Sequence, residues 1–515
     1  MTLGDLLNAT AARPPFDGRL DATLSAKAAS RSVASITSDS RQAAQGSVFV
    51  ALRGLKADGT SFARDAIARG AMAVVAEVPA PADLDPSVPW IHVSDARLAL
   101  AALSAAIFGN PSADLVLVGI TGTNGKTTTS YVLASIFEAA GITCGRIGTV
   151  GYQIGNREVD ATRTTPEAPD VQRMLREMVD AGCGACVMEA SSHALALRRV
   201  DYLHFSAAVF TNLTRDHLDF HRDMEDYHAA KRRLFELLPP DGIGVTNLDD
   251  PRGESFRAAA PRPVTYAIDT PADVRPGPLT SSLDGLSFDV RTPRGTLSIR
   301  SPLVGRPNAY NILAAVATAM ALDLPFNAIE KGVASLALVP GRFQLVSDAA
   351  DDVRVVVDYA HTDDALKNLL ETARPLATGR IITIFGCGGD RDRTKRPLMG
   401  AVAARLSDLV VVTSDNPRSE KPEQIIEEIK RGIVMPADRA PKGQSGTKST
   451  PCLAIVDRKA AIERAIQEAR PGDLILVAGK GHEKYQEIGD RVLPFDDVAV
   501  ATSALARRRQ RSRVS

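Results

Sequence analysis

The sequence has few of the features that mark secreted, membrane-spanning or nucleic-acid-binding proteins. Five cysteines in 515 residues are too few for a disulfide framework, which favours a reducing, cytoplasmic compartment. No apolar run approaches the roughly 18 residues of a spanning helix, and the first residues do not suggest a signal peptide. Basic and acidic residues both number 61, so we expect neither a nucleic-acid partner nor membrane insertion.

Three short patterns invite functional interpretations that their surroundings do not support. Cys183 and Cys186 form a C-x-x-C at the entry to a predicted buried strand, but structural zinc needs four ligands and there is no second pair. His217 and His221 have the i,i+4 spacing of a zinc helix, yet a leucine stands where H-E-x-x-H requires glutamate. The arginine-rich end, residues 507–513, is typical of a solvated tail.

The chain is too long for one hydrophobic core, so two to four domains are expected. In residues 1–110 short strands and helices alternate and end at a Gly-Asn-Pro stop signal. Residues 111–341 begin with a buried strand, a glycine-rich turn and a helix, and residues 342–515 form a third alternating block. Strands that alternate with helices predict an α/β fold, with parallel sheets covered by helices on both faces.

Two segments depart from this alternation. Residues 270–305, rich in Pro, Gly, Ser and Thr, are predicted to form hairpins, and residues 436–451 a surface insertion. In the third block, Asp358, Asp415 and Gly479 follow predicted strands directly. Ligands bind outside the carboxyl ends of strands in open α/β sheets, so these residues stand where chemistry is expected.

The strongest functional signal is the segment from Gly119 to Thr128, between a predicted strand and a predicted helix. Its glycines let the backbone curl so that successive N–H groups point at phosphate oxygens, and the helix N-terminus adds its positive dipole end. Lys126 would supply a charge to the β- and γ-phosphates, and Thr127 a hydroxyl ligand for Mg²⁺. Ile120 replaces the first glycine of the standard motif, so the strand–turn–helix context carries this interpretation.

Two other residues acquire interest from their position. Glu189 ends a predicted buried strand, where a carboxylate near a phosphate loop can hold Mg²⁺ or simply cap a helix. Lys231 lies on a predicted amphipathic helix, where most lysines are merely solvated. By itself it indicates no function.

Taken together, these segments resemble the Mur ligase family over nearly the whole chain. An ordered series of motifs is far more specific than any one of them. The matching motifs, in the family's order, are residues 121–128, 189–193, 211–219, 229–231, 305–311, 340–343, 358–362, 385–392, 415–418 and 479–483.

The resemblance implies a UDP-substrate-binding domain at residues 1–110, a central ATP-binding domain at 111–341 and a C-terminal Rossmann-like, amino-acid-binding domain at 342–515. It implies a monomeric, cytoplasmic ligase of peptidoglycan precursor synthesis that uses ATP and Mg²⁺. The γ-carboxylate of D-Glu in UDP-MurNAc-L-Ala-D-Glu would attack the γ-phosphate of ATP. The amine of meso-diaminopimelate would then attack the resulting acyl phosphate and expel phosphate.

The resemblance also implies roles for individual residues. The ATP site would comprise Gly122, Thr123, Asn124, Gly125, Lys126, Thr127, Thr128, Asn308, Asn311, Arg342 and Asp358. Ser40, Lys56 and Ala57 would contact the UDP moiety, and Thr164, Thr165, Ser191 and Arg199 the muramyl dipeptide. Catalysis would depend on Lys126, Glu189, His217 and Lys231. Lys231, modified by CO₂ to N6-carboxylysine, would hold Mg²⁺ together with Thr127, Glu189 and His217.

The identity of the acceptor amino acid is the most specific inference that a single motif supports. Diaminopimelate is lysine with an additional carboxylate on its far end, so its pocket needs a second anion receptor. Arg418 offers a planar fork suited to bidentate carboxylate binding, and lysine-adding relatives lack this arginine. If bound lysine left Arg418 unpaired, its binding free energy would be about 1–3 kcal/mol less favourable than that of diaminopimelate. The full set that the resemblance implies is Arg391, Asp415, Asn416, Pro417, Arg418, Gly479 and Glu483.

Other functions are compatible with parts of the sequence. Folylpolyglutamate synthase and other Mur ligases share the phosphate loop but not the motif at residues 415–418. A P-loop ATPase that drives a conformational change in a partner would turn over ATP without an amino acid, and would leave the C-terminal motifs unexplained. A non-catalytic scaffold is disfavoured because the catalytic positions named above are filled.

Overall fold

The computed structural model describes residues 1–11, 25–54, 58–433 and 450–512, and arranges them around three main sheets. The first sheet is parallel, in the order β1–β2–β3–β4. Its strands are β1 (Ser35–Thr37), β2 (Ser47–Val50), β3 (Ala73–Ala76) and β4 (Trp90–His92), and its helices are α1 (Leu3–Ala11), α2 (Ala26–Ala29), α3 (Ala63–Ala68) and α4 (Ala96–Ile107). Asp95 caps α4 by accepting a hydrogen bond from Leu98 N, and Asn110 turns the chain in the left-handed region after it.

The central sheet has eight strands in the order β12–β11–β10–β5–β9–β6–β7–β8. They are β5 (Val116–Thr121), β6 (Cys144–Ile147), β7 (Gly151–Ile154), β8 (Arg157–Asp160), β9 (Ala185–Glu189), β10 (Ala207–Phe210), β11 (Ile243–Asn247) and β12 (Arg262–Tyr266). The strands are parallel except at the edge, where β7 and β8 run antiparallel. The predicted parallel core is therefore confirmed, whereas the antiparallel edge was not predicted.

Helices cover both faces of this sheet, as predicted. They are α5 (Lys126–Ala139), α6 (Ala168–Asp180), α7 (Ser192–Ala196), α8 (Met224–Glu236), α9 (Gly253–Ala259), α10 (Arg306–Ala321) and α11 (Phe326–Ser335). One apolar core joins the sheet to α5, α10 and α11, and a second joins its other face to α6 and α8.

The predicted hairpins are confirmed as a small antiparallel sheet of β13 (Arg275–Pro276), β14 (Thr280–Ser282), β15 (Gly285–Thr292) and β16 (Gly295–Ser301). Alternate residues of β15 and β16, among them Phe288, Val290 and Ile299, are buried in the core shared with α10 and α11. The helix predicted at residues 308–321 is α10, which begins two residues earlier.

The third sheet has the order β17–β18–β22–β19–β20–β21 and is parallel except for β17. Its strands are β17 (Gln344–Leu345), β18 (Arg354–Asp358), β19 (Ile381–Phe385), β20 (Leu409–Val412), β21 (Cys452–Ala454) and β22 (Leu474–Ala478). A separate hairpin joins β23 (Tyr485–Ile488) to β24 (Arg491–Pro494), and the helices are α12 (Asp363–Ala373), α13 (Lys395–Leu406), α14 (Pro422–Ile433), α15 (Arg458–Glu468) and α16 (Asp497–Ser512). Most of the predicted insertion lies outside the described residues.

The prediction of a solvated arginine tail is wrong for Arg507, Arg508 and Arg509, whereas Arg511 is exposed. Residues 507–509 belong to α16, which packs against α15. Arg507 pairs with Glu463 at 2.8 Å, Arg508 with Asp352 at 2.7 Å and Arg509 with the buried Asp351 at 2.7 Å. Acidic residues distant in sequence thus order a segment that looked like a charged run. No described helix is long and apolar enough to cross a membrane.

Candidate active site

The predicted phosphate loop lies between β5 and α5, where the backbone requires glycine at two positions. Gly122 and Gly125 have φ of +145° and +88°. A Cβ at Gly122 would collide with Thr211 Oγ1, and one at Gly125 with Asn311 Oδ1. Asn212 holds the loop from the neighbouring β10 end, because its carbonyl accepts from Thr123 N at 2.8 Å. Glycine is therefore required at these two positions both by the positive φ and by the side chains that approach the backbone closely.

Two lysines converge on this loop. Lys126 Nζ donates to the carbonyls of Gly122 and Thr123, both at 2.9 Å. Lys231 Nζ, from α8, donates to the same Gly122 carbonyl at 2.7 Å and lies 4.4 Å from the centre of the Tyr227 ring. The side chain of Lys231 is fully buried, and the ion pairs of the described residues do not include it.

The electrostatics of the two lysines follow from this crowding. Burial holds the pKa of Lys231 well below its usual value, and the positive charge of Lys126 adds to the shift. Burial also lowers the pKa of Lys126, but the carboxylates of Glu189 and Asp216 oppose that shift. The carboxylate of Asp216 raises the pKa of both lysines, but burial outweighs it, and the downward shift is larger for Lys231, which is biased towards the neutral amine.

Glu189, the last residue of β9, presents its carboxylate beside the first turn of α5. Its two oxygens accept from Thr127 Oγ1 at 3.0 and 3.1 Å. They also accept from Thr149 N at 2.9 Å and from Thr149 Oγ1 at 3.1 Å. A carboxylate next to a hydroxyl at the mouth of a phosphate loop is a hard-oxygen donor set of the kind that Mg²⁺ prefers. Ser191, rather than Glu189, caps the helix that follows β9, and the metal-ligand role of Glu189 stays a prediction.

His217 faces the same cavity from the loop after β10. Its φ of +54° is unusual for a residue other than glycine, and its Nε2 lies 3.4 Å from Asp216 Oδ2. Burial lowers its pKa to about 3, so the ring is neutral near pH 7 and keeps a lone pair for a cation. Among the described residues, no three or more His, Cys, Asp and Glu side chains are placed together to hold a metal.

Residues of the third block close the cavity, whose volume is about 260 Å³. Arg342 donates to Thr127 Oγ1 at 3.2 Å and stacks over the Tyr359 ring at 4.5 Å. Asn124 donates to Asp364 of α12 at 3.1 Å. The loop and the C-terminal sheet therefore share one site.

The other residues predicted for ATP lie on the same cavity. Asn308 and Asn311 line it from the first two turns of α10, and Asn311 Nδ2 donates to Asn308 Oδ1 at 3.1 Å. Asp358 also lines it, but its carboxylate accepts from the backbone N–H groups of Phe343 and Ala360. Burial raises the pKa of Asp358. Both of these hydrogen bonds of Asp358 go to the protein backbone, so they hold the chain on either side of the carboxylate in place.

The residues predicted for the muramyl dipeptide form a cluster behind Glu189. Thr165 Oγ1 donates to the Glu189 carbonyl at 2.7 Å, and Ser191 N donates back to Thr165 Oγ1 at 3.1 Å. Arg199 donates to the Thr165 carbonyl at 3.1 Å, and its buried Nε has no hydrogen-bond partner. Thr164 Oγ1 lies 3.0 Å from Thr149 Oγ1.

Of the three residues predicted to contact the UDP moiety, only Ser40 is among the described residues. Ser40 begins a 3₁₀ turn in the N-terminal sheet region, and it is half-buried. Lys56 and Ala57 lie outside the described residues. Their assignment to the UDP moiety stays a prediction.

Residues predicted to bind the amino acid cluster where β20 and β22 end. The fully buried Lys480 donates to Asn416 Oδ1 at 2.9 Å and to Glu483 Oε2 at 3.0 Å. Asn416 Nδ2 donates to the same Glu483 oxygen at 2.9 Å. Asp415 is buried 3.9 Å from Lys480 Nζ and lies against Gly479. Burial raises the pKa of Glu483.

Arg418 sits at the edge of this network with φ of +51°. Its Nη1 donates to the Gly389 carbonyl at 2.9 Å, and its Nε lies 2.7 Å from Glu487 Oε2. Arg391, on the adjoining loop, is exposed and donates to a backbone carbonyl, and Pro417 lies against Gly389. A bound lysine would not leave Arg418 unpaired, contrary to the prediction, because Glu487 remains beside it. The cost to lysine binding is therefore smaller than that of an isolated buried cation.

Several residues of the site were absent from our predictions. Asp216, Tyr359 and Lys480 lie within motifs quoted above, so the motifs themselves signalled them. Thr149 was not singled out, although it supplies two of the hydrogen bonds to Glu189. Thr149 follows a strand whose sequence has no motif, and only the sheet order brings it beside β9.

Comparison with known proteins gives a consistent picture along the chain. Residues 32–107 match the family described as "Mur ligase family, catalytic domain", residues 120–319 the "Mur ligase middle domain", and residues 341–481 the "Mur ligase, glutamate ligase domain". The UDP-N-acetylmuramoyl-L-alanyl-D-glutamate--2,6-diaminopimelate ligase of Solibacter usitatus is 47% identical over 98% of both chains. The enzyme of the same name from Geobacter metallireducens is 49% identical over 89% of this chain and 91% of its own. A solved structure of a ligase with this name has a TM-score of 0.66 and 34% identity over 94% of this chain and 97% of its own.

Proposed function

The chain belongs to the Mur ligase family, and on that premise we propose that it is the ATP-dependent ligase that joins meso-2,6-diaminopimelate to the D-glutamate of UDP-MurNAc-L-Ala-D-Glu. The observation that carries the proposal is the match of the whole chain to relatives that bear this name. The phosphate loop and the pocket around Arg418 both lie within the matched length. The product would be a UDP-MurNAc-tripeptide for peptidoglycan synthesis in the cytoplasm.

In the first proposed step, a γ-carboxylate oxygen of the D-glutamate attacks the γ-phosphorus of ATP, and the bond to the β-phosphate oxygen breaks. This gives an acyl phosphate and ADP. Lys126 and the N–H groups of its loop neutralise charge on the transferring group, which is the main requirement of phosphoryl transfer. Arg342, held over Tyr359, adds a second cation at the same place.

In the second proposed step, the neutral amine of the amino acid attacks the acyl carbon. The tetrahedral intermediate expels phosphate, and the nitrogen loses a proton as the amide forms. Asp415, Asn416 and Glu483 would orient the amino acid for this attack. Lys480 supports this arrangement through its hydrogen bonds to Asn416 and Glu483.

Mg²⁺ would be held by Thr127, Glu189, His217 and modified Lys231, and would neutralise phosphate charge. The modification is supported by the environment of Lys231. Carbamylation needs a neutral amine, and burial beside Lys126 lowers the pKa of Lys231. The carbamate formed on Lys231 is an anion with two oxygen donors. The repulsion between Lys231 and Lys126 would therefore become an attraction.

A rescue experiment tests the carbamate. We expect Lys231→Ala to lose most activity and to recover part of it with added formate or acetate, because a small carboxylate can occupy the vacated place. Lys126→Ala is the control, since no carboxylate can replace a cation. Absence of rescue, together with no carbamate carbon signal from protein kept in ¹³C-bicarbonate, would remove this part of the proposal.

The proposal extends to organisation and partners. We propose that residues 1–110 bind the UDP moiety, residues 111–341 bind ATP and residues 342–515 bind the amino acid. The enzyme would act as a monomer with small-molecule substrates only. Contacts such as that between Arg342 and Thr127 support an arrangement in which the second and third regions close on ATP together.

The first experiment is phosphate release from Mg-ATP with UDP-MurNAc-L-Ala-D-Glu and either meso-diaminopimelate, L-lysine or no amino acid. Release and tripeptide product that depend on diaminopimelate are the expected result. A preference for lysine would retain the ligase and reject the assignment of Arg418. Equal release without amino acid or muramyl substrate would favour an ATPase that drives a partner.

A further inference from the structure

Arg198 and Asp95 form an ion pair that joins the central region of the chain to the N-terminal one. Arg198 Nε lies 2.6 Å from Asp95 Oδ2. Asp95 is also the N-cap of α4, and its Oδ1 accepts from Leu98 N at 2.9 Å. One oxygen of Asp95 therefore starts a helix of the N-terminal region, while the other holds an arginine of the central region.

On the central side, the place of Arg198 is fixed by its own segment. Its φ of +57° lies in the left-handed region, in the turn that follows α7. Its Nη1 donates to Asp201 Oδ2 at 3.2 Å, and the buried Asp201 also pairs with Arg233 of α8. Tyr202, in the same segment, packs against the apolar core of the N-terminal region. The segment is thus held between α8 and the N-terminal sheet.

The next residue, Arg199, is one of those predicted to contact the muramyl dipeptide. Its backbone N–H donates to the Ala194 carbonyl at 2.9 Å. Its side chain donates to the Thr165 carbonyl at 3.1 Å and pairs with Glu167 at 2.7 Å. Arg198 and Arg199 therefore start from adjacent Cα atoms, about 3.8 Å apart, and one contacts the N-terminal region while the other contacts the predicted dipeptide-binding residues.

The exposure of the pair indicates that stability is not its main effect. The side chains of Arg198 and Asp95 are 34% and 28% exposed. Ion pairs that water reaches contribute little to the free energy of unfolding. A contact of this kind can still fix the relative position of two regions, and here the regions are those proposed to bind the two ends of one substrate.

We propose that Arg198 and Asp95 are positioning residues that fix the distance between the UDP subsite of the N-terminal region and the dipeptide subsite of the central region. This inference rests on the proposed function. A ligand that spans two subsites gains affinity over its separate parts only when the geometry lets both ends bind at once. The pair should therefore affect UDP-MurNAc-L-Ala-D-Glu but not its fragments.

The test uses Arg198→Met, Asp95→Asn and the double variant. Asparagine is as good an N-cap as aspartate, so α4 keeps its start. Each single variant should weaken the binding of UDP-MurNAc-L-Ala-D-Glu, measured by titration calorimetry, by about threefold to tenfold. The double variant should be no weaker than either single variant, because the two residues act through one contact. The inhibition constants of UDP and of MurNAc-L-Ala-D-Glu, and the KM of ATP, should stay within about twofold of wild type.

Arg176→Met is the matched control. Arg176 is 32% exposed and lies 3.5 Å from Asp114, but both residues belong to the central region. Its loss removes an arginine of similar exposure without affecting the joint between the two regions. Binding of the complete substrate and of both fragments should therefore be unchanged.

Three outcomes would overturn the inference. The single variants could bind the complete substrate as tightly as wild type. They could weaken a fragment as much as the complete substrate, as expected if Arg198 only supports one subsite. The losses could also add in the double variant, which would show that the two residues act separately. If wild type binds no UDP-MurNAc-L-Ala-D-Glu at all, it is the proposed function that fails, and the inference falls with it.

Discussion

Replacing Arg458 with methionine would test how much a buried ion pair of the C-terminal sheet region contributes to the stability of the fold. Arg458 of α15 and Asp497 of α16 have no exposed side-chain surface, and their two contacts are 2.8 and 2.7 Å. The guanidinium also donates to the Ala478 carbonyl at 2.9 Å and contacts the Ser414 carbonyl at 3.4 Å. These carbonyls immediately precede Gly479 and Asp415, so the pair fastens the two strand ends from which the pocket is built.

The expected magnitude follows from leaving Asp497 buried without its partner. Removal of one member of a buried ion pair costs about 3–5 kcal/mol. Asp497 lies in the first turn of α16, where the helix dipole offsets about 0.3–1 kcal/mol. Methionine retains most of the volume of the arginine stem, so the packing loss is small. We therefore expect the free energy of unfolding to fall by about 3–4 kcal/mol.

Urea unfolding followed by far-ultraviolet circular dichroism would measure this loss, because the single tryptophan, Trp90, reports only on the N-terminal sheet. Arg464→Met is the control on the same helix: it breaks an exposed pair with Glu468 and should cost less than about 0.5 kcal/mol. Arg458→Met/Asp497→Leu should recover more than half of the loss, since no charge is left buried. A loss below about 1 kcal/mol for Arg458→Met would refute the reasoning.

Three other predictions concern the site and its supports. Glu189→Gln keeps the size of the side chain, and the hydroxyls of Thr127 and Thr149 can reorient towards the amide, so we expect little change in Tm. Activity should nevertheless fall at least about 100-fold. Activity within about tenfold of wild type would contradict a role of Glu189 in holding the metal. Lys126→Met should also lower the rate of phosphate release at least about 100-fold. Its stability should not fall, because the substitution removes the cost of burying a charged lysine. Unchanged phosphate release would exclude Lys126 from phosphate binding. Arg396 lowers the pKa of Glu420 to about 2 from 4.5. The stabilisation by Glu420 is complete above about pH 4.5 and is lost as pH falls towards 2, so the Tm difference between wild type and Glu420→Gln should shrink between about pH 5 and pH 3; a constant difference would contradict this linkage.

The parts of the fold that were predictable depend on neighbours in sequence. The phosphate loop could be recognised because a buried strand, two glycines and a helix start all lie within a dozen residues of Lys126. The strands of the third block could be located because they are short apolar runs followed by polar residues, which also indicated Asp358, Asp415 and Gly479. The hairpins of β13–β16 followed from composition and from the absence of a helical period.

The errors and omissions share a different cause. The arginines of α16 read as a solvated run because their partners, Asp351, Asp352 and Glu463, are distant in sequence. The antiparallel edge strands β7 and β8 have no motif, and their pairing depends on the sheet they extend. Glu487 was not considered, since nothing in its own segment shows that β23 passes beside Arg418.

The sequence by itself determined the α/β class, the phosphate loop and the chemical kind of each strand-end residue, because these depend on local propensity and on apolar periodicity. Only the tertiary structure decided which of those groups meet. It placed Lys231 and Lys126 on one carbonyl, Thr149 on Glu189 and Glu487 beside Arg418. The pKa of a lysine and the charge of a pocket depend on burial and on neighbours within a few ångströms. Those neighbours come from segments tens to hundreds of residues apart, and packing alone selects them.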